Sequence, residues 1–138
     1  YLNGSLPTKV SATALPDANQ LNDTLNILIQ FENGSSGVVA YYANGSKSMT
    51  KEYVEVFSAG ISATLCDFKE LKIFGTGKPK KEKLFNQNKG QKEMVNKFLN
   101  GLLNKGKAPI PFDEIVAVTK ASFKVLESIK RAGEQIEI

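Results

Sequence analysis

Lys51 and Glu52 start an alternating run, KEYVEVFS, and are the candidates for lining a ligand cleft. Lysine serves as a proton donor in such a cleft only where burial or a neighbouring charge lowers its pKa. Tyr41, Tyr42 and Tyr53 have the chemistry to line a sugar site, although strand tyrosines also serve as core or interface residues. The carboxylate pair Asp113 and Glu114 has a structural explanation as the negative charge favoured in the first turn of a helix. Gly75-Thr76-Gly77-Lys78 resembles a phosphate loop only superficially, because it lacks the Gly-Lys-Ser/Thr ending and no helical pattern follows it. Lys78, Lys80, Lys81 and Lys83 are interrupted by Pro79 and Glu82 and read as a solvated loop.

Most familiar catalytic constellations are excluded by composition. The chain has no histidine and one cysteine, so Cys66 has neither an intramolecular disulfide partner nor a histidine base to activate it as a nucleophile. It reads as a small buried or turn residue, and no metal site is expected. The length of 138 residues suits one domain with a hydrophobic core. Lys and Arg exceed Asp and Glu by only four, without a dense basic stripe, so neither a nucleic-acid partner nor a membrane surface is expected. No run of about 20 apolar residues and no signal-peptide pattern is visible. A cytoplasmic location is expected, and the opening Tyr1 suggests a piece processed or excised from a longer chain.

The elements that must position these residues fall into two blocks. Thr8 to Ala14 reads as a strand ended by Pro16 and Asp17. Leu25 to Glu32 alternates clearly, with Leu25, Ile27, Ile29 and Phe31 on one face, and Asn33-Gly34-Ser35-Ser36-Gly37 turns it into the run Val38 to Ala43. Lys51 to Ser58 is a further strand with both faces at least half covered, and Ala59-Gly60 leads into Ile61, Ala63 and Leu65. After Cys66-Asp67-Phe68 comes a strand with Leu71 and Ile73, and Glu82 to Phe85 adds one more. Short returns of this kind favour antiparallel pairing. Asn-Xaa-Ser/Thr at Asn3, Asn22, Asn33 and Asn44 is read as turn chemistry rather than as glycan acceptors.

The period then changes. Met94, Val95, Phe98, Leu99, Leu102 and Leu103 predict a helix capped at Gly106, and Pro109 and Pro111 bar its continuation. A second helix from about Phe112 should present Ile115, Val118, Ser122, Phe123, Leu126 and Ile129 as its apolar stripe and stop at Gly133, with an edge strand from Gln135 to Ile138. The expected fold class is α+β: a predominantly antiparallel sheet with helices covering one face.

The run ILIQFENGSSGVVAYYANGSKSMTKEYVEVFS, followed by CDFKELKIFG, KGQKEMVNKFLNGL and PIPFDEIVAVTKASFKVLES, resembles the C-terminal domain of the glucose-fructose oxidoreductase, inositol dehydrogenase and rhizopine-catabolism (Gfo/Idh/MocA) family. Each motif alone is nonspecific, and it is their order and spacing across nearly the whole chain that carry the resemblance. The resemblance implies that residues 1–138 are one C-terminal substrate-side and oligomerisation domain, preceded in the full protein by an N-terminal Rossmann domain that this chain lacks. It implies NAD or NADP as cofactor of the full-length protein, a sugar-like or polyol substrate, and a homo-oligomer formed through the open sheet face. The family's Gly-rich βα turn, its Glu-Lys-Pro motif with the catalytic lysine, and its helix bearing Asp and His all precede the part resembled here. No catalytic or cofactor-binding residue is therefore assigned within the chain, Lys51 does not stand in for that lysine, and the chain alone is expected to be inactive. The competing expectation is a noncatalytic α+β module that uses its open sheet to bind a protein partner or to dimerise.

Overall fold

The computed structural model describes residues 2–16, 18–19, 21–104 and 106–138; Tyr1 and Asp17, named above as the chain's start and as a strand terminator, lie outside them. The described residues divide into two compact units, one reaching to Asn44 and resuming at Ala108–Ile138, the other Gly45–Lys107. The α+β expectation holds, but the strands form two four-stranded sheets.

In the first unit, β1 (Pro7–Ala14), β2 (Thr24–Phe31), β3 (Ser36–Tyr42) and β8 (Ile136–Glu137) lie in the order β3-β2-β1-β8, and every pairing is antiparallel. The alternation of β2 is as expected: Leu25, Ile27, Ile29 and Phe31 are half-buried, while Asn26, Leu28 and Gln30 are exposed. Asn33-Gly34 makes the hairpin, with the Gly34 N–H donating to Phe31 O at 3.0 Å. The core gathers Val10 and Ala12 of β1, Ile136 of β8, and Val125 of α2 (Phe112–Lys130), with Leu25, Ile27, Ile29, Ala121 and Ile129 packed around them.

Helix α2 lies over β1 and β8, but not on the stripe expected from its sequence. Ile129 packs against the core, whereas Val118 and Phe123 remain 66% and 65% exposed and Ile115, Ser122 and Leu126 are also open. The face turned to the sheet carries Ala121, Val125 and Ser128, smaller residues that let a helix backbone approach a strand closely. Ser128 is wholly buried; its Oγ accepts the Ala12 N–H at 2.9 Å and donates to Glu134 O at 2.6 Å. Strand β8 pairs only with Lys9 and Val10, so the hydroxyl takes the place of a strand partner for Ala12. Termination near Gly133 holds: its N–H donates to Ser128 O at 2.9 Å with φ 90°.

In the second unit, β4 (Tyr53–Ser58), β5 (Ile61–Cys66), β6 (Glu70–Phe74) and β7 (Lys80–Lys83) form an antiparallel meander. Strand β4 starts two residues later than expected, leaving Lys51 and Glu52 ahead of it. Only Val54 of β4 is half-buried, so the strand is not covered on both faces. Strand β7 precedes the predicted Glu82–Phe85, because Lys80 to Lys83 pair with β6 while Phe85 is 92% exposed. The αL geometry at Ala59-Gly60 matches the twist of a two-residue hairpin, and positive φ recurs at Asp67 and Phe68 in the three-residue turn between β5 and β6. Gly75 cannot be replaced freely: its φ is +94°, and a Cβ there would lie 2.3 Å from Gly60 O. Helix α1 (Gln91–Leu103) ends at Asn104, whose N–H donates to Asn100 O at 3.0 Å, and Gly106 closes its last turn as expected, its N–H donating to Gly101 O at 2.9 Å. It has no buried residue.

Candidate functional site

Glu52 is the sequence-derived candidate that the fold builds into a cluster. Its backbone O accepts the Asp67 N–H at 2.7 Å, which ties the approach to β4 to the β5–β6 turn. Asp67 and Phe68 both have positive φ, 52° and 49°, a geometry that aspartate tolerates and that phenylalanine adopts rarely. Bonds from a later segment hold the turn there. Gln87 Nε2 donates to Asp67 O at 2.9 Å and to its Oδ1 at 2.8 Å, and the Asn88 N–H donates to Phe68 O at 3.1 Å. The next residue, Lys89, pairs with the Glu52 carboxylate, and its ammonium stands 5.9 Å from the centre of the Phe68 ring.

The Lys89 hydrogen bond holds the Glu52 carboxyl below its ordinary pKa, against the opposing effect of burial, with smaller contributions from the charge of Lys89, the Asp67 side chain and the charge of Lys51. Glu52 is therefore ionised at neutral pH and accepts but does not donate hydrogen bonds. Oε1 is taken by Lys89, while Oε2 is buried without a hydrogen-bond partner. An acceptor left in this state costs free energy until a donor reaches it. A ligand hydroxyl is a donor of the right kind. Lys51, the other candidate, is exposed and acts on Glu52 only through its charge. Sequence reasoning missed Lys89, Gln87 and the turn residues as parts of the cluster, because only the fold brings them to Glu52.

The remaining candidates do not converge. Tyr41 and Tyr42 are successive residues of β3 and point to opposite faces; Tyr42 Oη donates to Asn26 Oδ1 at 2.6 Å. Tyr53 Oη donates to Glu55 Oε1 at 2.8 Å, and that bond raises its pKa. Glu70 lies between Lys72 at 2.8 Å and Lys81 at 3.2 Å, so one lysine of the basic run serves an ion network on the sheet. Hydrogen bonds from these two lysines, Lys72 foremost, lower the Glu70 pKa. Gly75 to Lys78 form the β6–β7 hairpin loop, as expected. Cys66 is half-buried, with its Sγ 4.0 Å from Thr50 Oγ1. Among the described residues no group of His, Cys, Asp or Glu could hold a metal ion, and no helix is long and apolar enough to cross a membrane. A groove of about 440 Å³ in the first unit is bordered by Lys9, Glu32, Asp113, Lys120 and Glu137 and contains neither Lys51 nor Glu52.

No protein-family model and no curated protein matches the sequence. Solved structures do match the fold. The aldose-aldose oxidoreductase of Caulobacter crescentus, solved with glycerol, superposes with a TM-score of 0.75 at 15% identity, covering 100% of this chain and 43% of that one. An inositol dehydrogenase homologue of Azotobacter vinelandii, solved with NADH and myo-inositol, gives 0.70 at 14% identity, covering 99% and 45%. A levoglucosan dehydrogenase solved with NADH and levoglucosan gives 0.77 at 14% identity, covering 96% and 45%. The chain thus spans less than half the length of these enzymes. At such identities the likeness establishes the fold: the chain has the architecture of one part of sugar and polyol oxidoreductases, as the resemblance to the Gfo/Idh/MocA proteins led us to expect.

Proposed function

We propose that this chain is the substrate-side, C-terminal domain of an NAD(P)-dependent oxidoreductase acting on a sugar, polyol or related hydroxyl compound. The observation that carries the reading is the superposition of nearly the whole chain on less than half of enzymes solved with a polyol or sugar derivative. Within this reading Glu52, positioned by Lys89, accepts a substrate hydroxyl through Oε2, and Lys51 adds positive charge beside it. The exposed face of the first sheet, with Leu28, Val38 and Tyr42, joins a second copy.

In this reading the described residues leave the dinucleotide to another domain. Their glycine-rich loop, Gly75 to Gly77, joins two antiparallel strands instead of opening a helix whose N-terminus would hold a phosphate. Nicotinamide is consequently assigned to the Rossmann domain of the full-length protein, and what this chain's residues contribute is substrate binding and orientation. The test is to express the full-length gene product and follow cofactor reduction across a panel of sugars and polyols. Reduction with NAD or NADP supports the reading. A full-length protein that binds neither cofactor overturns it and favours the noncatalytic interaction module, whose mark would be self-association without turnover.

A further inference from the structure

The Asn-Gly pairs serve as turns, but they also carry chemistry of their own, and the fold treats the four of them differently. They occur at Asn3-Gly4, Asn33-Gly34, Asn44-Gly45 and Asn100-Gly101. We infer that Asn44-Gly45 is a site of spontaneous deamidation, singled out because the fold engages at least one reacting group of each of the other three pairs and leaves both of these free.

The reaction needs two atoms. The backbone nitrogen of the glycine, after giving its proton to a solvent base, attacks the asparagine Cγ. A C–N bond forms, the Cγ–Nδ2 bond breaks, and the leaving nitrogen takes a proton from water and departs as ammonia. The product is a succinimide ring. Water then adds to one of the ring carbonyls and opens it to aspartate, or to isoaspartate if the backbone carbonyl is attacked. The balance is asparagine plus water giving the acid plus ammonia, with no oxidant or reductant. Glycine makes the step accessible because no Cβ hinders the nitrogen or the backbone rotation it requires.

In the other three pairs at least one reacting group is engaged. The Gly34 N–H donates to Phe31 O at 3.0 Å, and the Asn33 carboxamide is held at both ends, accepting from Ser35 N at 3.0 Å and donating to Asn3 O at 3.2 Å. Asn3 Oδ1 accepts from Ser5 N at 3.1 Å. Asn100 and Gly101 lie inside α1, whose helical backbone engages the attacking N–H. By contrast, Asn44 and Gly45 are exposed in the turn after β3, and among the described residues neither the Asn44 carboxamide nor the Gly45 N–H has a hydrogen-bond partner.

The test is to incubate the full-length protein at mildly alkaline pH, digest it at intervals, and follow each Asn-Gly peptide by mass spectrometry with fragmentation that separates aspartate from isoaspartate. Asn44 is expected to convert first. Asn100, which reacts only from an opened helix, should be slower by about tenfold or more, the factor set by an opening free energy of ~1.4 kcal/mol. In denaturant the four pairs should react at similar rates, and Asn44→Gln should remove the leading acidic species seen by isoelectric focusing. Conversion of Asn3, Asn33 or Asn100 as fast as Asn44 in the native protein, or an Asn44 that stays intact while the denatured control reacts, overturns the inference.

Discussion

Lys89 forms an ion pair with Glu52 across 37 residues of sequence, joining the approach to β4 to the segment that leads into α1. Both side chains are about one-third exposed, so solvent screens the pair and its role is more positional than energetic. Replacing Lys89 by Met should free the segment and raise the Glu52 pKa. The folded-state pKa of Glu52 is depressed, so the pair's stabilisation is present above the ordinary glutamate pKa and is lost as pH falls through the depressed value. Thermal unfolding of the Lys89→Met chain should accordingly show its deficit at neutral pH and converge with the unmodified protein in acid. A deficit independent of pH would mean that Lys89 acts through its packing on Phe68.

Ser128 tests the docking of α2. Ser128→Ala leaves the Ala12 N–H and the Glu134 carbonyl without their partner, one of them at a buried site, and should cost about 1–3 kcal/mol in urea unfolding. Amide exchange at Ala12 should accelerate by more than the global loss of stability alone predicts.

Gly75 and Gly77 form a matched pair of backbone probes. Both have φ near +93°, yet a Cβ at Gly75 would strike Gly60 O while one at Gly77 meets nothing within 4 Å. Gly77→Ala should cost about 1 kcal/mol for the conformation alone, and Gly75→Ala more, beyond about 1–3 kcal/mol, because backbone must move as well. Equal midpoints in denaturant would refute the close approach.

The two faces of α2 should respond in opposite order to their hydrophobicity. Val125→Ala, on the buried face, should cost about 1–3 kcal/mol. Val118→Ser and Phe123→Ser should stay within about 0.5 kcal/mol in this chain, since both side chains are mostly exposed. A large loss at Phe123 would show that its face is covered in solution.

Much of the local order could be read directly from the residues. The alternation of Leu25 to Phe31, the Asn33-Gly34 and Ala59-Gly60 turns, the start of α2 at Phe112 and its end near Gly133 each follow from short-range rules: period, φ tolerance and first-turn charge. The misreadings arose where one segment satisfies two rules. Helix α2 is apolar on both flanks, so periodicity identifies the residues that share a face without telling which face meets β1. The smaller residues won because close approach to the strand also let Ser128 satisfy Ala12. Glu82 to Phe85 likewise continues a strand-like run, but pairing with β6 selected Lys80 to Lys83.

The candidate site divides along the same line. Lys51 and Glu52 as candidates, the strand they lead into and a turn at Asp67 are properties of neighbouring residues and were legible in the chain. The pairing of Glu52 with Lys89, the unpartnered Oε2, and the hold of Gln87 on a strained turn depend on residues far apart in sequence. No local rule contains such distances. They are set when long-range packing selects one arrangement from the many that the same local preferences allow, and only the folded chain records that choice.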